Sequence, residues 1–172
     1  DLYYRLHAEN DGPIDRVRRA VTDGGSAEAV LLFSADHGDL LGAHGGLHQK
    51  WYQLYDECTR VPFNLVRIGE RATTGTVVDE LPTSHVDIVP TLLELAGLER
   101  PGTHFRGQPI ETPTGHSLVP ALKDPAARIR ALDEPLGYEL AGNKALFKGD
   151  LKITLNLPPI GDGQWHLYDL RT

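Results

Sequence analysis

Apolar residues recur with two different periods along the chain, and these periods predict its first elements. Residues 1–21 carry apolar side chains at roughly helical spacing, with residues 10–13 (NDGP) as a possible break. Residues 29–33 form a short continuous apolar run, which is typical of a strand covered on both faces in a parallel sheet. Two further strands are predicted over residues 60–68 and 76–81.

Ser84 and Asp87 mark the start of a second predicted helix, because an acidic residue three positions after a serine forms a variant of the capping box. The apolar positions that follow at helical spacing are Ile88, Leu92, Leu95 and Ala96. Gly97 is expected to end this helix, and another short helix is predicted over residues 118–122. Strands that alternate with helices at this spacing indicate an α/β fold.

The last part of the chain has the pattern of an antiparallel meander. Its short apolar runs are separated by Gly-Asn, Gly-Asp and Pro-Pro turns. We expect Trp165 or Tyr168 to be buried where this sheet packs. Three lysines of this part are predicted to lie on a solvated edge: Lys144, Lys148 and Lys152. The sequence therefore predicts an α/β portion at residues 1–135 and a small antiparallel β subdomain at residues 136–172.

Composition and charge exclude several classes of function. The net charge of −7 and the isoelectric point near 5.5 argue against a nucleic-acid binder and against a protein that binds anionic membranes. No apolar stretch is long enough for a membrane span, and the N-terminus has no signal-peptide pattern, so a cytoplasmic location is favoured. The single cysteine, Cys58, excludes an internal disulfide and a cysteine-rich zinc site. Because the chain contains no methionine and starts in a helical pattern, we expect it to be a piece of a longer protein.

A glycine-rich polar loop follows the apolar run at residues 29–33 and holds the residues that suggest chemistry. Asp36 and His37 come at the carboxyl end of the predicted strand, where ligands bind in open α/β sheets. A carboxylate beside an imidazole can serve a divalent cation, although a solvated turn explains the same pattern. Lys50 can neutralise an anionic substrate oxygen or simply face solvent. A second pair, His85 and Asp87, is assigned to capping of the predicted helix and not to catalysis.

Five segments occur in an order that resembles the C-terminal part of a type I sulfatase of the alkaline-phosphatase superfamily. They are FSADHGDLLGAHGGLHQKW, RVPF, SHVDIVPTLLELAGL, GHSLVPAL and ELAGNKALFKGDLKI…WHLYDLRT. The resemblance implies part of a sulfatase-like sheet with helices, followed by a small C-terminal antiparallel β subdomain. It also implies the hydrolysis of sulfate esters.

The same resemblance implies roles for four residues of the glycine-rich loop. Asp36 and His37 would bind one divalent cation, Ca²⁺ or Mg²⁺, and Lys50 would contact the sulfate. His48 lies where it could face the substrate or solvent.

The nucleophile that the resemblance implies is a formylglycine, made from the cysteine of a Cys-x-Pro/Ala-x-Arg motif. Cys58 precedes Thr-Arg-Val-Pro, with the arginine and proline at the wrong offsets, so it is interpreted as a buried structural thiol. The formylglycine and further metal ligands are therefore expected in an N-terminal part of the same protein that this chain does not contain. We expect this chain alone to be inactive.

Two alternatives stay open at this point. A phosphodiesterase or phosphonate monoester hydrolase of the same superfamily would carry a similar loop, and only its nucleophile motif would differ. A non-catalytic interaction domain, in which the loop is a turn and the acidic surface binds a partner, is the alternative from another class.

Overall fold

The computed structural model describes residues 2–25, 28–69 and 83–171 of the chain. The chain forms two compact units, one of residues 1–51 and 55–76 and the other of residues 52–54 and 77–172. The strand predicted over residues 76–81 lies outside the described residues. The division predicted between residues 135 and 136 stays a prediction. None of the described helices combines the length and hydrophobicity that a membrane span requires.

The described residues of the first unit form one long helix, two short helical turns and one strand pair. In chain order these are α1 (Leu2–Asp23), β1 (Glu28–Ser34), α2 (Ala43–Gly46), α3 (Asp56–Thr59) and β2 (Phe63–Gly69). The predicted break in α1 is wrong, because the helix continues through Pro13. A proline removes one amide donor, while the hydrogen bonds of the neighbouring turns can still continue the helix. Asp15, two residues beyond Pro13, forms ion pairs with Arg18 and Arg19 at 2.7 and 2.6 Å.

Strands β1 and β2 pair antiparallel, in a register that runs from Glu28 opposite Gly69 to Ser34 opposite Phe63. The expected parallel pairing is therefore wrong for these two strands. None of residues 29–34 is buried in this chain, and Val30, Phe33 and Val66 are exposed. A continuous apolar run predicts that a strand needs cover on both faces, but it carries no information on the direction of the neighbouring strand.

In the second unit, the described residues from 83 onward run from a capped helix to a four-stranded sheet. Its elements are a 3₁₀ turn (His85–Asp87), α4 (Ile88–Leu95), β3 (His104–Phe105), β4 (Gln108–Pro109), α5 (Val119–Lys123), β5 (Leu136–Leu140), β6 (Asn143–Lys148), β7 (Leu151–Leu155) and β8 (Trp165–Asp169). The last four strands form one sheet in the order β5-β6-β7-β8, and every neighbouring pair is antiparallel. The predicted antiparallel meander at the C-terminal end of the chain is thereby confirmed.

Two side-chain predictions for this sheet are wrong. Trp165 and Tyr168 are 55% and 47% exposed, because they lie on β8, an edge strand of the sheet. Lys152 is only 6% exposed, and its ammonium lies 4.7 Å from the centroid of the Phe147 ring. Lys152 lies on the central strand β7 opposite Phe147, so its position in the sheet buries it where an edge would not.

The capping box at Ser84 is confirmed. The Ser84 amide donates to Asp87 Oδ2 at 2.9 Å, and the reciprocal bond of the box is also present. Gly97, with φ of +67°, follows the helix end as expected. The predicted apolar face is wrong in part, since Leu92 is exposed while Pro90 and Thr91 are buried. Thr91 turns inward because its hydroxyl accepts a hydrogen bond from the Leu118 amide at 2.9 Å.

Asp87 is fully buried and does more than cap the helix. Its Oδ1 accepts hydrogen bonds from the His116 amide, at 2.8 Å, and from the Arg130 guanidinium. Arg130 is itself buried and also donates to Glu134 Oε1 at 2.7 Å. These hydrogen bonds hold the segment between α4 and the four-stranded sheet, which contains His116 and Arg130, against the N-terminal end of α4.

Replacing Asp87 with alanine should destabilise the protein by about 3–5 kcal/mol, because it leaves a buried arginine without this carboxylate. Equilibrium unfolding in urea measures the change. Asp15→Ala is the matched control, since this carboxylate also binds arginines but lies at the surface of α1, where ion pairs contribute about 0–1 kcal/mol. Equal losses in the two variants would contradict the assigned role of the buried pair.

Candidate functional site

Asp36 and His37 lie together where the chain leaves β1. The strand ends at Ser34, and the His37 amide donates to Asp36 Oδ1 at 2.9 Å. The His37 Nε2 atom lies 3.6 Å from Asp36 Oδ2, so the two side chains converge on one point. The Asp36 side chain is 88% exposed and therefore open to a ligand.

The hydrogen bond on the other side of the imidazole determines which ring nitrogen is free to bind. His37 Nδ1 lies 2.7 Å from the Gly38 carbonyl oxygen. Since a carbonyl only accepts, Nδ1 carries a proton, and in the neutral ring Nε2 keeps its lone pair. A histidine that binds a metal characteristically donates its other N–H to a backbone carbonyl or a carboxylate in this way.

This pair fits a divalent cation but supplies only part of its coordination. Two ligand atoms 3.6 Å apart can share one cation at bond lengths of about 2.0–2.6 Å. Ca²⁺ and Mg²⁺ need about six or more ligands, mostly oxygens. Among the described residues there is no group of three or more histidine, cysteine, aspartate or glutamate side chains that could hold a metal.

Gly38 packs directly against α3, and this contact sets the path of the chain after His37. The Gly38 amide donates to the Cys58 carbonyl at 2.9 Å. A Cβ atom on residue 38 would lie 1.8 Å from the Glu57 carbonyl oxygen, so only glycine fits here. The glycine thus lets the Asp36–His37 segment approach α3 closely.

Lys50 and His48 follow on the same loop. The Leu40 amide donates to the Gln49 carbonyl at 2.8 Å, which brings the backbone before Lys50 back to the segment that follows His37. Lys50 is half-buried, and its carbonyl accepts a hydrogen bond from the Cys58 thiol at 3.7 Å. His48 is exposed. The predicted contacts of Lys50 and His48 with the substrate stay predictions. The predicted binding of a metal by the Asp36–His37 pair also stays a prediction.

Cys58 is 5% exposed, which confirms the expected buried thiol. Burial raises the pKa of this thiol, and the negative charges of Glu57 and Asp39 raise it further, against a smaller opposing effect of Lys50. The thiol is therefore protonated at neutral pH. A nucleophilic cysteine requires the opposite shift of its pKa.

A histidine–carboxylate pair that the sequence did not indicate joins this loop to α3. His44 Nε2 lies 3.1 Å from Glu57 Oε2, and the His44 ring stacks on Tyr55 with centroids 3.8 Å apart. A backbone hydrogen bond lowers the pKa of Glu57, and the hydrogen bond with His44 lowers it further. His44 and Glu57 are thirteen positions apart in the chain, so no local spacing rule could have indicated the pair.

The chain is similar to several curated sulfatases. The chain is 36% identical over 122 residues to arylsulfatase K of Danio rerio, covering 70% of this chain and 21% of that protein. It is 35% identical over 102 residues to the uncharacterized sulfatase YidJ of Escherichia coli (strain K12), covering 58% of this chain and 19% of that protein. It is 25% identical over 143 residues to an N-acetylglucosamine-6-O-sulfatase of Bacteroides thetaiotaomicron, covering 83% of this chain and 24% of that protein.

The fold is also similar to a solved structure. This is the structure of BT4656 in complex with its substrate D-glucosamine-2-N,6-O-disulfate, with a TM-score of 0.68 and 22% sequence identity. The similarity covers 94% of this chain and 32% of that chain, and it supports the predicted fold class.

The chain spans about a fifth of the length of the curated relatives it matches. The family model named Sulfatase matches residues 1–98, more than half of the 172 residues. The chain therefore belongs to the sulfatase family, within the alkaline-phosphatase superfamily.

Proposed function

We propose that this chain is the C-terminal segment of a sulfatase that hydrolyses a sulfate ester in a metal-assisted reaction. The observation that carries the proposal is the Asp36–His37 pair, whose ligand atoms lie 3.6 Å apart at the end of β1. The hydrogen bond from His37 Nδ1 to the Gly38 carbonyl leaves Nε2 available for a cation. Family membership makes sulfate ester hydrolysis the first chemistry to test at this pair.

Four residues of this chain would each have a distinct role in the reaction. Asp36 and His37 would hold one Ca²⁺ or Mg²⁺, and the cation would supply a Lewis acid for the sulfate oxygens. Lys50 would place an ammonium beside the sulfate, where it stabilises the negative charge that grows as the S–O bond breaks. His48, exposed two residues before Lys50, would face the substrate. A formylglycine outside this chain would supply the nucleophile.

The rest of the sulfatase would be the first partner of this chain. Helix α1 has no buried residue in this chain, although apolar side chains such as Leu2 and Leu6 recur along it. Val30, Phe33 and Val66 are exposed on the β1–β2 pair. Apolar surface of this kind is stabilised by burial against further protein, and the relatives are about five times longer than the matched part. We therefore place the nucleophile and the other metal ligands on that further part.

A substrate panel tests the proposal in the complete protein. Equal concentrations of an aryl sulfate, an aryl phosphonate monoester and an aryl phosphodiester are incubated with the protein and excess Ca²⁺ or Mg²⁺, and aryl alcohol release is measured. We expect the highest kcat/KM for the sulfate. A preference for either phosphorus ester would favour the phosphoester hydrolase reading, and no turnover of any of the three would favour a non-catalytic domain.

A further inference from the structure

His44, Tyr55 and Glu57 form a cluster in the first unit that we call the loop clasp. The His44 ring is bound by its edge and by its face: Nε2 lies 3.1 Å from Glu57 Oε2, and the ring stacks on Tyr55 at an interplanar angle of 10°. His44 belongs to α2, in the glycine-rich loop, whereas Glu57 belongs to α3. The clasp therefore joins the loop to α3 through side chains.

The loop between Leu41 and Tyr52 needs such a constraint, because its backbone is unusual. His44 has φ of +51°, and the residues on both sides of Lys50 also have positive φ: Gln49 at +55° and Trp51 at +40°. Residues with a side chain rarely adopt this region, and they persist there only when the surrounding structure holds them. The contacts of the loop are therefore what determine where Lys50 lies.

Helix α3 is the common anchor for both halves of the candidate site. Through Cys58 it accepts the Gly38 amide next to His37 and donates the thiol to the Lys50 carbonyl, at 2.9 and 3.7 Å. Glu57 precedes Cys58 directly, so the clasp binds the same turn that contacts the Lys50 backbone. The residue that binds His44 and the residue that contacts the Lys50 backbone are therefore neighbours in the chain.

We propose that His44 is a positioning residue for Lys50, acting through Glu57 and α3. The inference rests on the proposed function, since it takes Lys50 as the residue that contacts the sulfate. His44 itself touches no reacting atom in this proposal. It holds the loop in the one arrangement that presents the Lys50 ammonium to the sulfate.

A double-mutant cycle in the complete protein tests whether His44 acts through Lys50. The four proteins are the unmodified one, His44→Leu, Lys50→Ala and the double variant, and kcat/KM is measured with an aryl sulfate. Leucine removes both the hydrogen bond to Glu57 and the aromatic ring. We expect His44→Leu to lower kcat/KM by about tenfold or more when Lys50 is present, because displacement of a contact by about 1 Å can cost up to about a hundredfold. In the Lys50→Ala background the same change should cost less than about twofold.

The matched control is His166→Leu. Its imidazole also pairs with a carboxylate, that of Asp162 at 3.0 Å, but it lies in the other compact unit. We expect this variant to keep kcat/KM within about twofold, as is usual for a surface pair. His44→Gln keeps a donor for Glu57 and should therefore lose less kcat/KM than His44→Leu. If the leucine variant does not fold, Glu57→Ala, which removes the carboxylate that pairs with His44, replaces it in the cycle.

A second measurement needs no turnover. The rate at which an amine-reactive ester labels Lys50, followed by peptide mass spectrometry, should change several-fold in His44→Leu and stay unchanged in His166→Leu. Equal kcat/KM losses in both backgrounds of the cycle, or unchanged labelling, would overturn the inference. If the unmodified protein turns over no sulfate ester, the proposed function fails, while the labelling rate still decides whether His44 positions Lys50.

Discussion

This chain alone is expected to hydrolyse no aryl sulfate, whereas the complete protein is expected to turn it over. A productive site needs nucleophile, metal and sulfate contacts held together, and loss of the nucleophile alone typically costs several powers of ten in rate. The described residues offer a buried, protonated Cys58 and no group of three or more histidine, cysteine, aspartate or glutamate side chains that could hold a metal. The purified chain and the complete protein are assayed side by side with excess Ca²⁺ or Mg²⁺. Robust turnover by the chain would show that the nucleophile has been misplaced.

Lys50→Ala in the complete protein belongs to the same experiment. We expect a loss of kcat/KM by about a hundredfold or more, the range found when one donor to a developing charge is removed. Lys148→Ala is the matched control, because this exposed lysine of β6 has no assigned role and should leave kcat/KM unchanged within about twofold. An unaffected Lys50→Ala variant would mean that Lys50 only faces solvent.

The second large effect is expected on metal affinity. His37→Ala should weaken the binding of Ca²⁺ or Mg²⁺ to the complete protein by about a hundredfold or more, since even the loss of a residue that merely orients a ligand costs about 10–100-fold. Isothermal titration calorimetry measures the dissociation constant directly, and excess metal should restore part of the lost turnover. Asp36→Ala should behave in the same way, because the carboxylate supplies the negative charge of the pair.

His166→Ala is the control for the metal experiment. It removes a histidine whose Nε2 also lies near an aspartate, Asp162, at 3.0 Å, so it tests whether a surface His–Asp contact by itself accounts for metal affinity. We expect unchanged binding. If His37→Ala and His166→Ala both leave the dissociation constant unchanged, the cation does not bind at the end of β1.

Much of the candidate site could be predicted from the sequence, because its residues lie close together in the chain. Asp36 and His37 are adjacent and follow an apolar run, so their convergence needed only that run to be a strand. The sequence could not predict which ring nitrogen of His37 carries the proton, since this depends on where the Gly38 carbonyl points. The His44–Glu57 contact could not be predicted either, because its partners are thirteen positions apart and residues with positive φ lie between them.

The difference between local and long-range contacts also explains how much of the fold could be predicted. Local patterns determined the capping box at Ser84, the helix end at Gly97 and the four-stranded meander, because caps and short turns connect residues a few positions apart. Only the tertiary structure decided the antiparallel direction of β1 and β2, the burial of Lys152 and the pairing of Asp87 with Arg130. These depend on which segments meet after the chain has folded back. Hydrophobic periodicity predicts that a side chain is buried, but it does not specify which segment buries it.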